Sequence, residues 1–192
     1  RTASGKDTVA AILREKFGYH KAITTTTRPP RPYEVDGVHY HFLEERDFKD
    51  RVEYGEFIEH ENNKGNYYGC SFSAILDTPS DKPTVMILDP AGAMNLRDFL
   101  LAKNIECKVL YINESVNTCI ERVKCRDADA AEIERSVESL RGKESGWNVG
   151  FKYDAVTVRG ATIEENVAYA RNIFECERSL SEDKVKSDSL VM

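Results

Sequence analysis

The sequence has no paired cysteine motif and no long apolar run. Its five cysteines are scattered and include no C-x-x-C pair: Cys70, Cys107, Cys119, Cys125 and Cys176. This pattern gives no zinc signature and is typical of reduced thiols, so we expect a cytoplasmic protein. No apolar stretch approaches the length of a membrane span and no signal peptide is visible, so we expect no membrane partner.

Basic residues are not in excess either. Lysine and arginine number 27 against 33 aspartates and glutamates, which gives a formal net charge of −6. That balance argues against a protein that coats nucleic acid, although a few arginines can still converge on a small pocket. With 192 residues, of which 41% are hydrophobic, the chain can bury the core of one ordinary globular domain.

Apolar runs and helical periodicity alternate along most of the chain. Compact apolar runs at 84–88 and 106–112 predict strands buried on both faces of a parallel sheet, and 153–158 predicts a third strand. Helices are predicted at 7–17, 92–103, 116–125 and 162–180, with Gly18 ending the first. The alternation predicts an α/β fold with a parallel sheet flanked by helices.

One segment interrupts this alternation. Residues 21–81 predict an extended stretch, a helix at 44–54 and two strands within 56–68 joined by a turn at 62–65. We therefore predict a mixed α/β insert at 21–81 within a core made of residues 1–20 and 82–180. A charged helical segment gives a lid at about 123–142, and the polar residues 181–192 predict a flexible tail.

The chain opens on part of a phosphate-binding pattern. The consensus G-x-x-x-x-G-K-S/T cradles phosphates with its backbone N–H groups, while its lysine reaches the β- and γ-oxygens and its hydroxyl holds Mg²⁺. Here Gly5-Lys6 opens a predicted helix, and the hydroxyl comes one place late, at Thr8. We expect the first glycine and its strand to precede Arg1. The candidate ATP-binding residues are Ser4, Gly5, Lys6, Asp7 and Thr8, with Thr8 as the metal ligand; the alternative is a Gly-Lys pair in a surface turn.

Two further stretches resemble the guanylate kinase family. T-T-T-T-R-P-P-R-P-Y-E-V-D-G-V-H-Y-H-F at 24–42 is similar to the family's nucleotide-binding segment. E-F-I-E at 56–59 and G-N-Y-Y-G at 65–69 follow in the family's order and spacing. The resemblance implies a P-loop kinase that phosphorylates GMP or dGMP with ATP as co-substrate and Mg²⁺ as cofactor, as a monomer or homodimer.

The acceptor residues follow from the chemistry of the substrate and from the resemblance. A nucleotide phosphate is a dianion, which Arg28 and Arg31 can bind through charge-assisted hydrogen bonds, with Tyr40 and Tyr68 as further donors. The resemblance places a carboxylate for the guanine N–H donors at Glu59. It adds further acceptor residues at Thr24, at Cys70, where the family has serine or threonine, and at Asp89; Ser71 is a possible substitute for Cys70.

The resemblance also implies arginines that clamp the transferring phosphoryl group. Arg126 and Arg135 match best, which gives Lys6, Arg28, Arg126 and Arg135 as candidate catalytic residues. Arg122, Lys124 and Arg141 are the alternatives for the lid. Two other functions stay open: a kinase for another nucleotide or a phosphosugar, because the family's D-x-D-x-Q-G keeps only Asp89, and a non-catalytic protein-binding module of the guanylate-kinase type.

Overall fold

The structure is a computed structural model that describes residues 1–79, 82–127, 129–178 and 189–191. Its elements in chain order are α1 Lys6–Phe17, β1 His20–Lys21, β2 Thr25–Thr26, β3 His41–Phe42, α2 Glu45–Glu53, β4 Phe57–Asn63, β5 Asn66–Ser71, α3 Phe72–Leu76, β6 Thr84–Met86, α4 Pro90–Ala102, β7 Cys107–Tyr111, α5 Val116–Arg126, α6 Ala130–Arg141, a 3₁₀ turn Lys143–Gly146, β8 Ala155–Val156, α7 Ile163–Arg178 and β9 Ser189–Val191.

The larger sheet is parallel throughout, with the strand order β1-β6-β9-β7-β8. Consecutive strand residues face opposite sides, so Val85 and Leu110 pack under α1 and α7 while Met86 and Val109 pack under α4. Both faces are therefore covered by helices, as the apolar runs predict, and the α/β fold class is confirmed.

A second sheet is built from the inserted segment. Its order is β3-β2-β5-β4, in which β5 runs antiparallel to both β2 and β4 and β3 runs parallel to β2. Phe48 from α2 is fully buried against this sheet, and its ring stacks on Phe57 and Tyr67 at centroid distances of 4.5 and 5.5 Å. The insert thus has an aromatic core of its own.

Most predicted elements are present, and three differences stand out. The five-residue helix α3 has no counterpart in the predictions, because it is short and begins only where Ser71 caps it. The strand predicted at 153–158 shrinks to Ala155–Val156. The flexible tail predicted at 181–192 is wrong for Ser189–Val191, whose backbone pairs with both β6 and β7 in mid-sheet; the other tail residues lie outside the described ones.

Within the described residues, no helix has both the length and the apolar character needed to cross a bilayer. The thiols of Cys70, Cys107, Cys119 and Cys125 are free.

The aromatic core of the insert gives a stability prediction. Phe48→Ala should lower the free energy of unfolding by about 3–5 kcal/mol, because it removes a fully buried ring and leaves a cavity between two others. Tyr54→Ala is the matched control, since Tyr54 lies at the end of the same helix and is 82% exposed. Urea unfolding measures both. A loss below about 1 kcal/mol for Phe48→Ala would contradict the packing described.

Candidate active site

A cleft lies between the carboxyl ends of β6 and β7 and the sheet of the insert. Open parallel sheets bind ligands at this edge, because the loops that follow the strands meet there. The loop after β6 contributes Asp89, the end of β7 contributes Tyr111, and the insert contributes side chains from the opposite wall. The cleft brings together eleven of the predicted site residues: Ser4, Lys6, Asp7, Thr24, Arg28, Arg31, Tyr40, Glu59, Tyr68, Asp89 and Arg126.

The phosphate loop turns sharply into α1. Gly5 caps the helix with φ +96°, and a Cβ at this position would lie 3.0 Å from Cδ1 of Ile163. Ala3, two residues earlier, also has a positive φ of 57°, which non-glycine residues adopt rarely and mostly at functional sites. The Lys6 ammonium lies 3.4 Å from both the Arg1 carbonyl and the Asp7 carboxylate, long contacts that a phosphate can replace.

Glu34 holds Arg28 and Arg31, the two arginines that the sequence predicts for the acceptor phosphate. The guanidinium of Arg28 donates to both of its carboxylate oxygens at 2.8 Å, and the backbone N–H of Arg31 donates at 2.7 Å. Burial alone would raise the pKa of Glu34, but these hydrogen bonds outweigh it and lower the pKa. Glu34 therefore stays ionised and holds both arginines in place before any ligand binds. Glu34 was not among the predicted site residues, although its spacing from the two arginines could have indicated it.

Two tyrosines line the cleft beside these arginines. The rings of Tyr40 and Tyr68 meet edge to face with centroids 6.3 Å apart, and the Arg28 guanidinium lies 5.8 Å from the Tyr40 centroid. Burial raises the pKa of Tyr40, so its phenol keeps its proton and can donate a hydrogen bond to an anion.

Three carboxyl groups face the other end of the cleft. Burial first, and then the charge of Asp89, raise the pKa of Glu59 to about 7, although a backbone N–H from Cys70 lowers it in part. Burial and a hydrogen bond with Asp89 raise the pKa of Glu61 to about 8, against the opposing effect of Lys143. The pKa of Glu61 therefore lies well above that of an exposed glutamate. Glu61 lies where no motif indicates a functional group.

Asp89 has a structural function as well. Its Oδ1 accepts the backbone N–H groups of Ala91 and Gly92 at 2.6 and 3.0 Å, which caps α4. Gly92 also makes room for Glu59, because a Cβ there would lie 2.5 Å from the Oε2 atom of Glu59.

Four predicted residues do not line the cleft. Thr8 is exposed on α1, and Gly5 acts through its backbone. Arg135 is paired with Glu132 at 3.0 Å on the outside of α6, whereas Arg126 ends α5 and lines the cleft next to Asp127. Cys70 is completely buried under α4, and its thiol contacts the Ser71 carbonyl at 3.8 Å.

Ser71, the possible substitute for Cys70, does not line the cleft: its hydroxyl accepts the backbone N–H of Ala74 and lies 2.9 Å from the Ser73 hydroxyl. Other residues that line the cleft were not predicted, because no sequence motif identifies them as binding residues. Lys64 reaches the cleft from the tip of the β4–β5 hairpin, and the buried Tyr111 hydroxyl has no hydrogen-bond partner among the described residues.

Comparison with known proteins agrees with this geometry. The family model described as guanylate kinase matches residues 2–176. The chain belongs to the guanylate kinase family. The guanylate kinase of Chlorobium luteolum is 34% identical over 170 residues, which is 86% of this chain and 83% of the relative. That of Symbiobacterium thermophilum is 30% identical over 181 residues, 93% of this chain and 82% of the relative.

A solved structure supports the fold assignment. The crystal structure of guanylate kinase from Anaplasma phagocytophilum matches with a TM-score of 0.63 at 24% identity, and the match covers 95% of this chain and 91% of that one. The parallel core and the insert are thus arranged as in a guanylate kinase.

The three carboxyl groups in the cleft of this protein give a prediction about Glu59. Carbon-detected NMR titration of the free protein should give Glu59 a pKa of about 7, and Asp89→Asn should lower it, because the variant removes a neighbouring negative charge and keeps a capping side chain. Asp98→Asn, an exposed acid on the same helix, is the control. An ordinary pKa in the parent, or one that Asp89→Asn leaves unchanged, would contradict the arrangement.

Proposed function

We propose that this protein transfers the γ-phosphoryl group of ATP to GMP or dGMP and forms the diphosphate. The observation that carries the proposal is one cleft with a Gly5-Lys6 phosphate loop on one wall and the Arg28–Arg31 pair with Glu59 on the other. Both substrates carry phosphate groups. The wall with the phosphate loop offers a cation to ATP, and the wall with the arginine pair offers cations to the acceptor. Membership of the guanylate kinase family supports the same reaction.

The acceptor would bind along the insert, residues 21–81. Arg28 and Arg31, already held by Glu34, would take its phosphate, with Tyr40 and Tyr68 as neutral donors. Glu59 and Thr24 would face the base. Guanine presents N1–H and an amino group side by side, which a carboxylate accepts together; adenine lacks this pair and would leave a buried acceptor unsatisfied. The buried Cys70 thiol is left out of this assignment.

The reaction needs positioning and charge neutralisation more than covalent chemistry. The acceptor oxygen is already ionised, so no general base is required. Lys6 would neutralise charge on the donor phosphates, and Arg126, at the start of the lid segment 123–142, would face the transferring group. Closure of the insert and the lid over the cleft would exclude water and limit hydrolysis of ATP.

Mg²⁺ fits the residues of this cleft through Asp7 rather than through Thr8. Asp7 lines the cleft directly after Lys6 and offers carboxylate oxygens, the hard donors that Mg²⁺ prefers, whereas Thr8 does not line it. When bound, the ion would neutralise and orient the donor phosphates. A cytoplasmic location and a monomeric or homodimeric state stay predictions from the sequence.

The decisive experiment measures ADP formation with a panel of acceptors. GMP and dGMP should outperform AMP, CMP, UMP and ribose 5-phosphate, and Lys6→Ala should lower kcat by about 100-fold or more, because it removes a cation from the transferring phosphates. Lys16→Ala, an exposed lysine on the same helix, is the matched control.

Three results would contradict the proposal. Preferential use of another acceptor would favour the kinase for a different nucleotide or phosphosugar. A folded protein that forms no ADP with any of these acceptors would favour the non-catalytic binding module. Near-normal turnover by Lys6→Ala would mean that the phosphate loop is assigned wrongly.

A further inference from the structure

The tip of the β4–β5 hairpin carries a lysine in an unusual backbone conformation. Lys64 and Gly65 have φ angles of +56° and +79° between the paired residues Asn63 and Asn66. Two-residue hairpin turns of this kind favour asparagine or aspartate before glycine, because positive φ crowds the Cβ atom and only a short polar side chain offsets this by hydrogen bonding locally. A lysine at this position suggests that its side chain is needed for a contact elsewhere.

That contact lies on the opposite wall of the cleft. The Lys64 ammonium donates to the Thr2 hydroxyl at 2.9 Å, and it lies 3.5 Å from both the Ser136 hydroxyl and the Glu144 carboxylate. Its side chain is only 16% exposed. Thr2 belongs to the phosphate loop, Ser136 to the lid helix α6 and Glu144 to the 3₁₀ turn, so one ammonium joins the insert to three parts of the donor side.

Glu144 fixes the phosphate loop. It is completely buried, its Oε2 accepts the Thr2 backbone N–H at 2.6 Å, and its Oε1 accepts the hydroxyls of Thr2 and Ser139 at 2.9 and 2.8 Å. Lys64 supplies a positive charge to this carboxylate. A shift of Lys64 would therefore change the hydrogen bonding of Thr2, both directly and through Glu144.

A second contact fixes how the hairpin docks. Glu61 of β4 accepts a hydrogen bond from Lys143 at 3.1 Å, and Lys143 directly precedes Glu144. The hairpin is thus held on two neighbouring residues of the 3₁₀ turn. Sliding the hairpin along the turn would break both contacts, so together they select one docked position.

The same hairpin carries acceptor residues. Glu59 lies on β4 and Tyr68 on β5, so a ligand held by both would fix the strand pair whose turn bears Lys64. Occupation of the acceptor site therefore holds the ammonium against the phosphate loop. By reciprocity, a loop fixed by ATP holds the hairpin in its acceptor-binding position.

We propose that Lys64 is a positioning residue that couples the acceptor site to the phosphate loop through Thr2 and Glu144. The inference rests on the proposed function, since it concerns how the two nucleotides of that reaction influence each other's binding. Lys64 acts through the loop rather than on the reacting atoms.

Calorimetry of a non-hydrolysable ATP analogue, with and without saturating GMP, measures this coupling. In the parent protein GMP should tighten analogue binding by a factor within the usual range of about 5–150. Lys64→Gln should bring the factor close to one while each nucleotide alone binds within about threefold of the parent, and Lys64→Arg, which keeps the charge, should restore most of it. Lys49→Gln is the matched control, an exposed lysine on α2 of the insert.

The outcomes separate the two proposals. A parent protein that phosphorylates GMP but shows no coupling, or a Lys64→Gln variant that retains it, would overturn the assignment of Lys64. Weaker binding of each nucleotide alone together with a lower free energy of unfolding would also overturn it, because it would mark a residue needed only for folding. Failure of the parent protein to phosphorylate GMP would instead overturn the proposed function.

Discussion

Cations that face one cleft repel one another, and this protein must hold several of them there before any phosphate arrives. It does so by giving each a carboxylate nearby: Lys6 has Asp7, Arg126 has Asp127, and Arg28 and Arg31 share Glu34. Such pairs keep the cations oriented and lower the cost of their mutual repulsion. An incoming phosphate then meets donors that need little reorganisation, which is how a preorganised site favours a transition state.

The fold places these pairs at one edge because two packed cores support them. The parallel sheet and α1 carry Lys6, while the aromatic core around Phe48 supports the sheet that carries Glu59 and Tyr68. The insert's sheet is also anchored on the parallel core, because Cys70 of β5 is buried against α4. The contacts of Lys64 and Glu61 with the 3₁₀ turn join the two walls directly.

The sequence predicted those elements whose formation depends on neighbouring residues. The apolar run at 84–88 and the helix ended by Gly18 are present because burial and a left-handed cap are encoded within a few residues. The Arg28–Arg31 spacing and Glu59 were found through the family's motifs, and both line the cleft. Cys70 was misjudged because a motif gives the position of a side chain along a strand but not the depth at which it is buried.

The remaining differences concern contacts between distant parts of the chain. Glu144 lies 142 residues from Thr2, whose N–H it accepts, so no pattern could reveal the pair. Strand β9 pairs its backbone between β6 and β7, and the polar residues around it gave no indication of that position. Arg135 and Thr8 lie on helices, where a shift of one residue turns a side chain by about 100° away from the expected face.

The proposed role of Arg28 and Arg31 is to bind the acceptor's phosphate. Titration calorimetry with GMP and with guanosine tests it most directly, because the two ligands differ only in that group. Two charge-assisted contacts of roughly 1.5–3 kcal/mol each predict that GMP binds at least about 100-fold more tightly, and that Arg28→Ala removes much of this advantage while guanosine binding stays the same. Equal affinities for GMP and guanosine, or an equal loss for both ligands in Arg28→Ala, would contradict the account.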